Sequence, residues 1–393
     1  MAAEKEHISS LDLPSKLTNF LSKSWGIEKL HPPQVQAMPS IFDGKNILLA
    51  IPTASGKSLV AYLAIMKKLL VDEIGTKAVY IVPLKALASE KFEDLKSMAS
   101  AVNLTVGLGI GDSSSEAKKI EECDILVCTS EKLDSIIRNN SQTMSRVSIV
   151  VADEFHLMND SSRGPTLEIN LTKLRFLRPD AQLVALSATV GNCKELADWL
   201  DADLIQSDWR PVALEYSTFH DLHLEPRMVQ SSQVSDSPEL LNPPRDLEGP
   251  KTHPTWVVLK DTIQQDGQLL IFVGTRRSAE SEALKLSKRV YKVLEKENPD
   301  RLKQLKQLSQ SLDGRSQTAM GEKLSQCIIG GVAFHHAGLT HTQRKSIEEA
   351  FKSGLLIALS ATPTLAAGVN LPARRVLVRD VKRWDDGMNR PLP

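Results

Sequence analysis

Short apolar runs alternate with amphipathic segments over the first half of the chain. The runs are rich in Val, Ile and Leu, and apolar residues at helical spacing follow each of them. Such alternation is typical of a parallel sheet with helices on both faces. The first half is therefore predicted to be an α/β domain. Its predicted strands are 46–50, 78–82, 125–129, 147–152 and 182–186, and its predicted helices are 58–71, 84–99, 131–138, 165–177 and 193–200.

The same alternation resumes after a polar stretch. Residues 207–216 have the character of a hinge, and residues 220–254 are rich in Ser, Pro and charge, which favours a surface excursion. A chain of 393 residues is also too long for one ordinary core. We therefore expect two domains, 1–210 and 211–393. The second has predicted strands at 268–273, 331–335, 355–360 and 375–378 and predicted helices within 278–327 and at 341–353.

Composition adds little about partners. Lys plus Arg and Asp plus Glu balance at 48 each, so no global basic field indicates nucleic acid, although a neutral protein can carry a basic cleft. The four cysteines lack CxxC spacing and lie mostly in or beside apolar runs, which favours reduced thiols and no metal site. Neither a signal-peptide core nor a membrane-length apolar run is present. We expect a cytoplasmic protein without a membrane partner.

A phosphate-binding turn is predicted between strand 46–50 and helix 58–71. Its sequence, IPTASGKS, ends in the Gly-Lys-Ser of a P-loop, but Ile51 replaces the usual first glycine. Backbone N–H groups and the helix N-terminus would hold phosphate oxygens, while the lysine reaches the β- and γ-phosphates and the serine binds Mg²⁺. Taken alone, the triplet also fits an ordinary helix start. The candidate ATP-binding residues here are Pro52, Thr53, Ala54, Ser55, Gly56, Lys57 and Ser58.

Acidic residues follow the buried strand 147–152. Asp153 can hold Mg²⁺ and Glu154 can orient and deprotonate an attacking water, with His156 close behind. Two charges that begin a surface loop are the alternative. The P-loop about one hundred residues upstream favours the catalytic interpretation.

Other polar residues lie where predicted strands end or helices begin. Gln34 follows two prolines at a helix start, and its amide could read an adenine edge. Ser187 and Thr189 end strand 182–186 and could sense the same phosphates, although SAT alone would be a turn. The segments PLKALASEK (83–91) and TSEKLDSIIR (129–138) combine hydroxyls and Lys at helix N-termini, which suits a phosphodiester backbone, although solvated helix starts look the same.

Taken in order, these motifs identify a family resemblance. PPQ, IPTASGKS, PLKALA, TSEK, DEFH, SAT, FVGTRRSAE, HHAGL and ATPTLAAGVNLPAR follow one another with the order and rough spacing of superfamily-two helicases. The chain resembles the archaeal Hjm-type DNA helicases, relatives of the polymerase theta helicase domain and of the exosome-associated RNA helicases. The resemblance covers nearly the whole chain, and its motifs are specific together rather than singly. It implies two RecA-like domains that use ATP and Mg²⁺.

The resemblance also implies a role for individual residues. Lys57, Asp153 and Glu154 would be catalytic, and Ser58 and Asp153 would hold the metal. Gln34 would read adenine, Gly368 and Asn370 would approach the nucleotide from the second domain, and Ser187 and Thr189 would couple ATP to domain movement. Contacts to nucleic acid would come from Pro83, Lys85, Thr129, Thr275, Arg276, His336, Gly338 and Thr362.

One family motif is not in the sequence. The pattern Q-x-x-G-R-x-G-R, whose arginines reach the γ-phosphate, does not follow the ATPTLAAG motif. Arginine fingers contribute about 10³ to 10⁵ in rate. We therefore expect a fragment with an incomplete second domain that binds ATP but hydrolyses it slowly. Residues 379–393 would be one arm of a strand-separating hairpin without its pairing partner, and thus disordered or abnormally paired.

The resulting functional expectation is an ATP-dependent 3′ to 5′ DNA helicase of the repair or replication-fork type. Its partner would be single-stranded or forked DNA, and it would be a monomer. Two alternatives remain open at this stage. One is an RNA helicase of the exosome-associated type. The other is an ATP-gated nucleic-acid clamp that does not unwind.

Overall fold

The structure is a computed structural model. It describes residues 6–53, 55–110, 117–139, 141–189, 191–230, 242–313, 319–365, 371–380, 382–385 and 388–391. The chain divides into two compact units. The first comprises Met1–Glu215 and Met228–Glu239, and the second comprises Tyr216–Arg227 and Leu240–Pro393.

A seven-stranded sheet forms the centre of the first unit. Its strand order is β3-β4-β2-β5-β6-β1-β7, and neighbouring strands are parallel throughout. The inner strands are buried along their whole length because helices cover both faces. The strands are β1 (Ile47–Ala50), β2 (Lys77–Val82), β3 (Val106–Gly109), β4 (Ile125–Thr129), β5 (Val147–Ala152), β6 (Gln182–Ser187) and β7 (Asp203–Gln206).

The helices of this unit bury their apolar faces on the sheet. They are α1 (Ser15–Trp25), α2 (Pro32–Phe42), α3 (Lys57–Lys67), α4 (Lys85–Ser100), α5 (Ala117–Glu122), α6 (Ser130–Asn139), α7 (Gly164–Leu177) and α8 (Cys193–Leu200). A π-helical turn, Lys68–Asp72, continues α3. The five strands and five helices predicted for this region are all present, with small shifts at their ends.

Strands β3 and β7 and helix α5 were not predicted. In β3 the sequence is Val-Gly-Leu-Gly, and glycines weaken a strand signal. The structure shows why they are there: a Cβ at Gly107 would lie 2.7 Å from Cys123 Sγ, and one at Gly109 would lie 3.1 Å from Cys128 Cβ. Close packing, rather than strand propensity, thus determines these positions.

Residues 214–246 contain a second, three-stranded sheet of order β10-β9-β8. Its strands are β8 (Leu214–His220), β9 (His223–Gln230) and β10 (Arg245–Asp246), and β10 pairs antiparallel with β9. The expectation over 220–254 was a surface excursion rather than core, and it did not include strands β9 and β10. Polar residues masked the strand signal because most of the described positions in this sheet are exposed or half-buried.

The second unit contains a four-stranded parallel sheet of order β12-β13-β11-β14. The strands are β11 (Leu269–Phe272), β12 (Val332–His335), β13 (Ala358–Ala361) and β14 (Arg375–Val378). The helices are α9 (Pro254–Gln264), α10 (Arg276–Glu297), α11 (Pro299–Asp313), α12 (Ala319–Ile329) and α13 (His341–Lys352). Of these elements only α9 was not predicted.

The last described segment forms a hairpin. Strand β15 (Lys382–Asp385) pairs antiparallel with β16 (Met388–Pro391). The expectation of a single arm without a partner is therefore wrong, since the segment supplies both strands. No helix in the described part of the chain is long and apolar enough to cross a membrane.

Candidate nucleotide-binding site

The turn between β1 and α3 leaves a helix N-terminus open. Gly56 precedes α3 with φ of 77°, in the left-handed region that favours glycine. A Cβ at Gly56 would lie 2.3 Å from Gln34 Nε2, so the position has no room for a side chain. No side chain caps the first turn of α3. Its N–H groups and its positive dipole end are thus available to an anion.

Lys57 is the first residue of this helix, and it is only 7% exposed. Its Nζ is buried and has no hydrogen-bond partner among the described residues. Burial lowers the pKa of Lys57 below its usual value, while Glu154 and Asp153 act in the opposite direction. A buried ammonium without a partner is costly unless a ligand satisfies it. A phosphate group fits that requirement.

Tyr80 brings the two predicted metal ligands to one place. Its hydroxyl donates to Asp153 Oδ2 at 2.7 Å, and the N–H of Glu154 donates to Asp153 Oδ1 at 2.9 Å. Burial, and then the charge of Asp153, raise the pKa of Tyr80 well above its usual value, and a hydrogen bond with Ser58 opposes them. Ser58 therefore lies near the phenol group that donates to Asp153.

This arrangement suits a metal held partly by phosphate. Within the described ranges, no three His, Cys, Asp or Glu residues form a cluster that could hold an ion. Mg²⁺ is commonly bound through one or two carboxylates together with phosphates and waters. Asp153 and Ser58 could supply two such ligands. Lys91 Nζ donates to Ser58 Oγ at 3.0 Å, so a cation already contacts this oxygen.

Glu154 and His156 are adjacent at the end of β5. Glu154 is half-buried and has a left-handed backbone with φ of 51°. His156 Nδ1 lies 3.4 Å from Glu154 Oε2 and accepts the N–H of Ala188 at 3.3 Å. Burial lowers the pKa of His156, which agrees with a neutral ring that accepts this hydrogen bond. The imidazole thus joins the acidic motif to the segment that follows β6.

Ser187 is the last residue of β6, and Thr189 lies in the segment that follows it. Ser187 is fully buried, its Oγ donates to the carbonyl of Ala188 at 2.7 Å, and its own carbonyl accepts the N–H of Ile51. Thr189 is exposed. Ser187 therefore contacts the start of the P-loop through its backbone, whereas the contact with the acidic motif is made by Ala188. The role of Ser187 and Thr189 in coupling ATP to domain movement stays a prediction.

Gln34 uses its amide to fix the P-loop. Its Nε2 donates to the carbonyl of Gly56 at 3.0 Å, and its Oε1 accepts the N–H of His31 at 2.7 Å. The His31 ring lies 4.6 Å from that of Trp209, and Ser55 Oγ donates to the Trp209 carbonyl. The side chain of Gln34 is 2% exposed. Adenine recognition by Gln34 stays a prediction, and it would use the remaining hydrogen-bonding capacity of the amide.

The rest of the predicted nucleotide set is less informative. Pro52 is buried and Thr53 is exposed beside the turn. Ala54, Gly368 and Asn370 lie outside the described residues. No geometry is therefore assigned to these three.

The nucleic-acid candidates of the first unit lie at the carboxyl edge of its sheet. Strands β2 and β4 are neighbours, with Val82 opposite Thr129, so Pro83 and Thr129 lie at the same end. Thr129 is buried and accepts the N–H of Lys132 at 3.4 Å. Lys85 is exposed at the first residue of α4. Lys85 thus has an exposed side chain at this edge, whereas Thr129 supports the turn, and a contact of either with nucleic acid stays a prediction.

The candidates of the second unit also share one sheet edge. His335, Ala361 and Phe272 are aligned in register on three neighbouring strands. The segments that follow them carry Thr275 and Thr362 with the other predicted residues. Thr275 caps α10, because its Oγ1 accepts the N–H of Ser278 at 3.1 Å. Arg276 is exposed, and Thr362 is 7% exposed.

His336 is buried, and its predicted contact with a nucleic-acid strand stays a prediction. Its side chain is 0% exposed and stacks on Phe334 at 5.4 Å, so the ring has no surface to present. Its Nδ1 accepts the N–H of Gly338 at 3.1 Å, while Nε2 lies 3.5 Å from Glu280 Oε1 without hydrogen-bond geometry. Gly338 itself is exposed. We conclude that His336 shapes the turn and that Gly338 forms its surface.

Sequence reasoning did not assign Tyr80, Lys91, His31 or Trp209 to the site. Tyr80 lies inside an apolar strand, where a tyrosine normally signals core packing. Lys91 is part of the segment that was interpreted as a backbone contact, and its helical position alone could have suggested that it turns toward the P-loop. Trp209 lies in the segment interpreted as a hinge, and the sequence of such a segment does not predict whether a tryptophan is exposed or buried.

Comparison with known proteins places these features in a family. A DEAD/DEAH box helicase model matches residues 31–196. The ATP-dependent DNA helicase Hel308 of Methanocella arvoryzae is 43% identical over 383 residues, which cover 96% of this chain and 49% of the relative. The Pyrococcus horikoshii protein of the same name is 41% identical, with 98% of this chain and 50% of the relative covered. The Thermococcus kodakarensis protein is 44% identical over 345 residues, covering 87% and 28% respectively.

The chain thus spans about half or less of the length of these curated relatives. The matched helicase model and the two units with parallel sheets are those of two RecA-like domains of the P-loop NTPase class. The similarity extends over most of the chain and includes the P-loop and the DEFH motif. Over most of its length the chain is a homologue of the archaeal Hel308 proteins, the Hjm-type helicases of superfamily two.

Proposed function

We propose that this chain is the ATP-dependent motor of a DNA helicase. The observation that carries the proposal is the buried ammonium of Lys57, which has no hydrogen-bond partner among the described residues at the uncapped start of α3. A triphosphate supplies the charge that this ammonium and the helix N-terminus require. The names of the relatives add the DNA substrate, since each is called an ATP-dependent DNA helicase.

The chain's own residues would act as follows. Lys57 and the N–H groups of α3 would bind the β- and γ-phosphates and orient the terminal group. Asp153 and Ser58 would hold Mg²⁺, which neutralises developing charge when it is bound. Glu154 would take the proton of an attacking water. The neutral ring of His156 contacts both Glu154 and Ala188. A movement of the Glu154 side chain would therefore be transmitted through this ring to the turn after β6.

The nucleic-acid contacts are proposed to be independent of sequence. Lys85 and Arg276 are exposed at the starts of helices, where a phosphodiester backbone can be held without base contacts. Movement from 3′ to 5′, a role in repair or at replication forks, and action on forked DNA are carried over from the family resemblance. The limits of the two motor domains, 1–210 and 211–393, and a cytoplasmic location are proposed from the sequence pattern, together with a monomeric state.

The test is ATP hydrolysis with and without single-stranded DNA, combined with a nucleotide-binding measurement. Replacing Glu154→Gln should reduce turnover by at least about 100-fold while nucleotide affinity stays within a few-fold, because the base is lost and the phosphate contacts remain. Glu93→Gln, an exposed glutamate on α4, is the matched control. Unchanged turnover in Glu154→Gln would contradict the proposal. Nucleotide-switched DNA affinity without turnover in the unmodified chain would instead favour the clamp alternative.

A further inference from the structure

A groove with a basic wall lies in the second unit, between α9 and α10. Its volume is about 880 Å³. The cationic residues that line it are Lys285, Lys288, Arg289, Lys292 and Lys296. A Lys-rich helix face is usually a solvated surface.

Most of the positive charge of the groove is uncompensated. Among the described residues that line it, Glu297 is the one carboxylate beside the five cations. None of the five forms an ion pair with a described residue, whereas Lys323 in the same unit pairs with Glu280. The whole chain has a formal net charge of zero. A local concentration of unpaired cations in a neutral protein attracts polyanions.

The spacing of the cations suits a linear polyanion. Lys285, Lys288, Lys292 and Lys296 recur every three or four residues, so they form one stripe along α10. With a rise of about 1.5 Å per residue, the stripe is roughly 16 Å long. Several successive phosphates of a single strand can be neutralised over that length.

An aromatic residue in the groove favours nucleic acid over an acidic peptide. Trp256 of α9 lines the groove and is half-buried against the core. The guanidinium of Arg289 lies 5.7 Å from the centre of the Trp256 ring. Indole and guanidinium planes are surfaces on which unpaired bases stack, and such stacking tolerates every base. Glutamate side chains have no aromatic ring that could stack on Trp256 or Arg289.

We propose that this groove is a second binding surface for single-stranded nucleic acid. It is separate from the sheet edge already described, because Arg276 starts α10 and the stripe begins at Lys285, nine residues further on, or about 13 Å along the helix axis. The groove would hold phosphates on the lysines and a base against Arg289 and Trp256. The proposal depends only on residues of the second unit, and ATP use plays no part in it.

The experiment measures binding of fluorescein-labelled dT20 by anisotropy at several salt concentrations. Lys288→Glu/Lys292→Glu should weaken binding about tenfold or more at ~0.1 M salt and lower the salt slope by about 1.4, since each lost phosphate contact is worth about 0.7 on a single strand. The matched control, Lys306→Glu/Lys352→Glu, changes the charge equally at two exposed lysines outside the groove. Equal affinity and slope in the two double variants overturn the proposal.

Two further measurements separate the groove from the nucleic-acid contacts proposed for the motor at Lys85 and Arg276. The variant Lys85→Ala/Arg276→Ala removes these two cations. If it leaves dT20 binding unchanged while the groove variant weakens it, the groove proposal is supported and the proposed contacts at Lys85 and Arg276 are contradicted. Strand carrying 5-iodouracil should cross-link to Trp256, and Lys288→Glu/Lys292→Glu should abolish that product. Displacement of dT20 by polyglutamate as effectively as by unlabelled strand would overturn the assignment to nucleic acid.

Discussion

Helices α3 and α10 each begin shortly after a strand of a parallel sheet, yet their first turns differ. At α3 the preceding residue is Gly56, and no side chain caps the helix. At α10 the preceding residue is Thr275, whose Oγ1 accepts the N–H of Ser278 at 3.1 Å. Lys57, the first residue of α3, is buried without a partner, whereas Arg276, the first of α10, is exposed.

The comparison shows how one topological position can serve two purposes. A capped N-terminus satisfies its own N–H groups and stabilises the helix. An uncapped N-terminus next to a buried cation lowers the free energy of unfolding of the free protein. That free energy is recovered only when an anion binds. The following predictions test this contrast, starting with the largest expected effect.

Replacing Lys57→Met should remove the stabilisation that a nucleotide provides. We expect nucleotide affinity to fall by at least about 100-fold, or ~2.7 kcal/mol, because the charge-assisted phosphate contact is lost. The free protein should unfold at the same or a higher temperature, since a buried unpaired ammonium is removed. Thermal unfolding with and without ATP and Mg²⁺ measures both effects. Lys85→Met, at an exposed lysine, is the control, and a less stable free protein in Lys57→Met would contradict the argument.

Gly56→Ala should lower the free energy of unfolding more than the same substitution at another glycine with a left-handed backbone. Any Cβ at φ of 77° costs about 1–2 kcal/mol, and here it would also displace the Gln34 amide. Gly75→Ala has a similar φ of 84° with nothing within 4 Å of the added Cβ, so it isolates the backbone cost. Chemical unfolding should show a larger loss for Gly56→Ala, and only that variant should lose nucleotide affinity. Equal losses would refute the close-contact explanation.

Replacing Thr275→Ala should destabilise the second unit by about 1 kcal/mol through loss of the α10 cap. Thr275→Ser keeps the oxygen and should restore most of the stability. Neither change should alter nucleotide affinity, in contrast to Gly56→Ala. Urea unfolding and nucleotide titration of the two variants check this. A destabilised Thr275→Ser would show that the methyl group, rather than the cap, is responsible.

The smallest effect concerns His336 and pH. Burial lowers its pKa below the usual 6.5, with Glu280 acting in the opposite direction and Arg276 and His335 in the same direction. Below pH 6.5 the unfolded chain therefore takes up a proton that the folded chain resists, so the free energy of unfolding falls as the pH falls. His336→Asn, which keeps an acceptor for Gly338, should lose less stability than the parent between pH 7 and 5. We expect a difference under about 1 kcal/mol between the two proteins.

The regular elements were predictable because buried parallel strands have continuous apolar runs in their sequence. Strands β1, β2, β4, β5 and β6 have every residue buried, and all five were predicted from that signal. Edge strand β3 and the half-exposed strands β8 to β10 carry glycines or polar residues, and they were not predicted. The difference follows from burial, which determines how strongly a strand constrains its sequence.

The candidate site was predictable as motifs but not as contacts. IPTASGKS and DEFH gave the residue types, while the distances depend on strand neighbours that no single motif specifies. Tyr80 reaches Asp153 because β2 and β5 are paired, although 73 positions separate them. The burial of His336 likewise comes from packing against Phe334, which the HHAGL motif does not reveal.

The hydrogen bond from Lys91 to Ser58 links α4 to the P-loop. A metal ion at the Ser58 oxygen would compete with the Lys91 ammonium, which belongs to a helix of sixteen residues, roughly 24 Å long. Lys85 is the first residue of the same helix, six residues before Lys91. We therefore expect the occupant of the P-loop to affect the helix that carries Lys85, a proposed contact with a nucleic-acid strand.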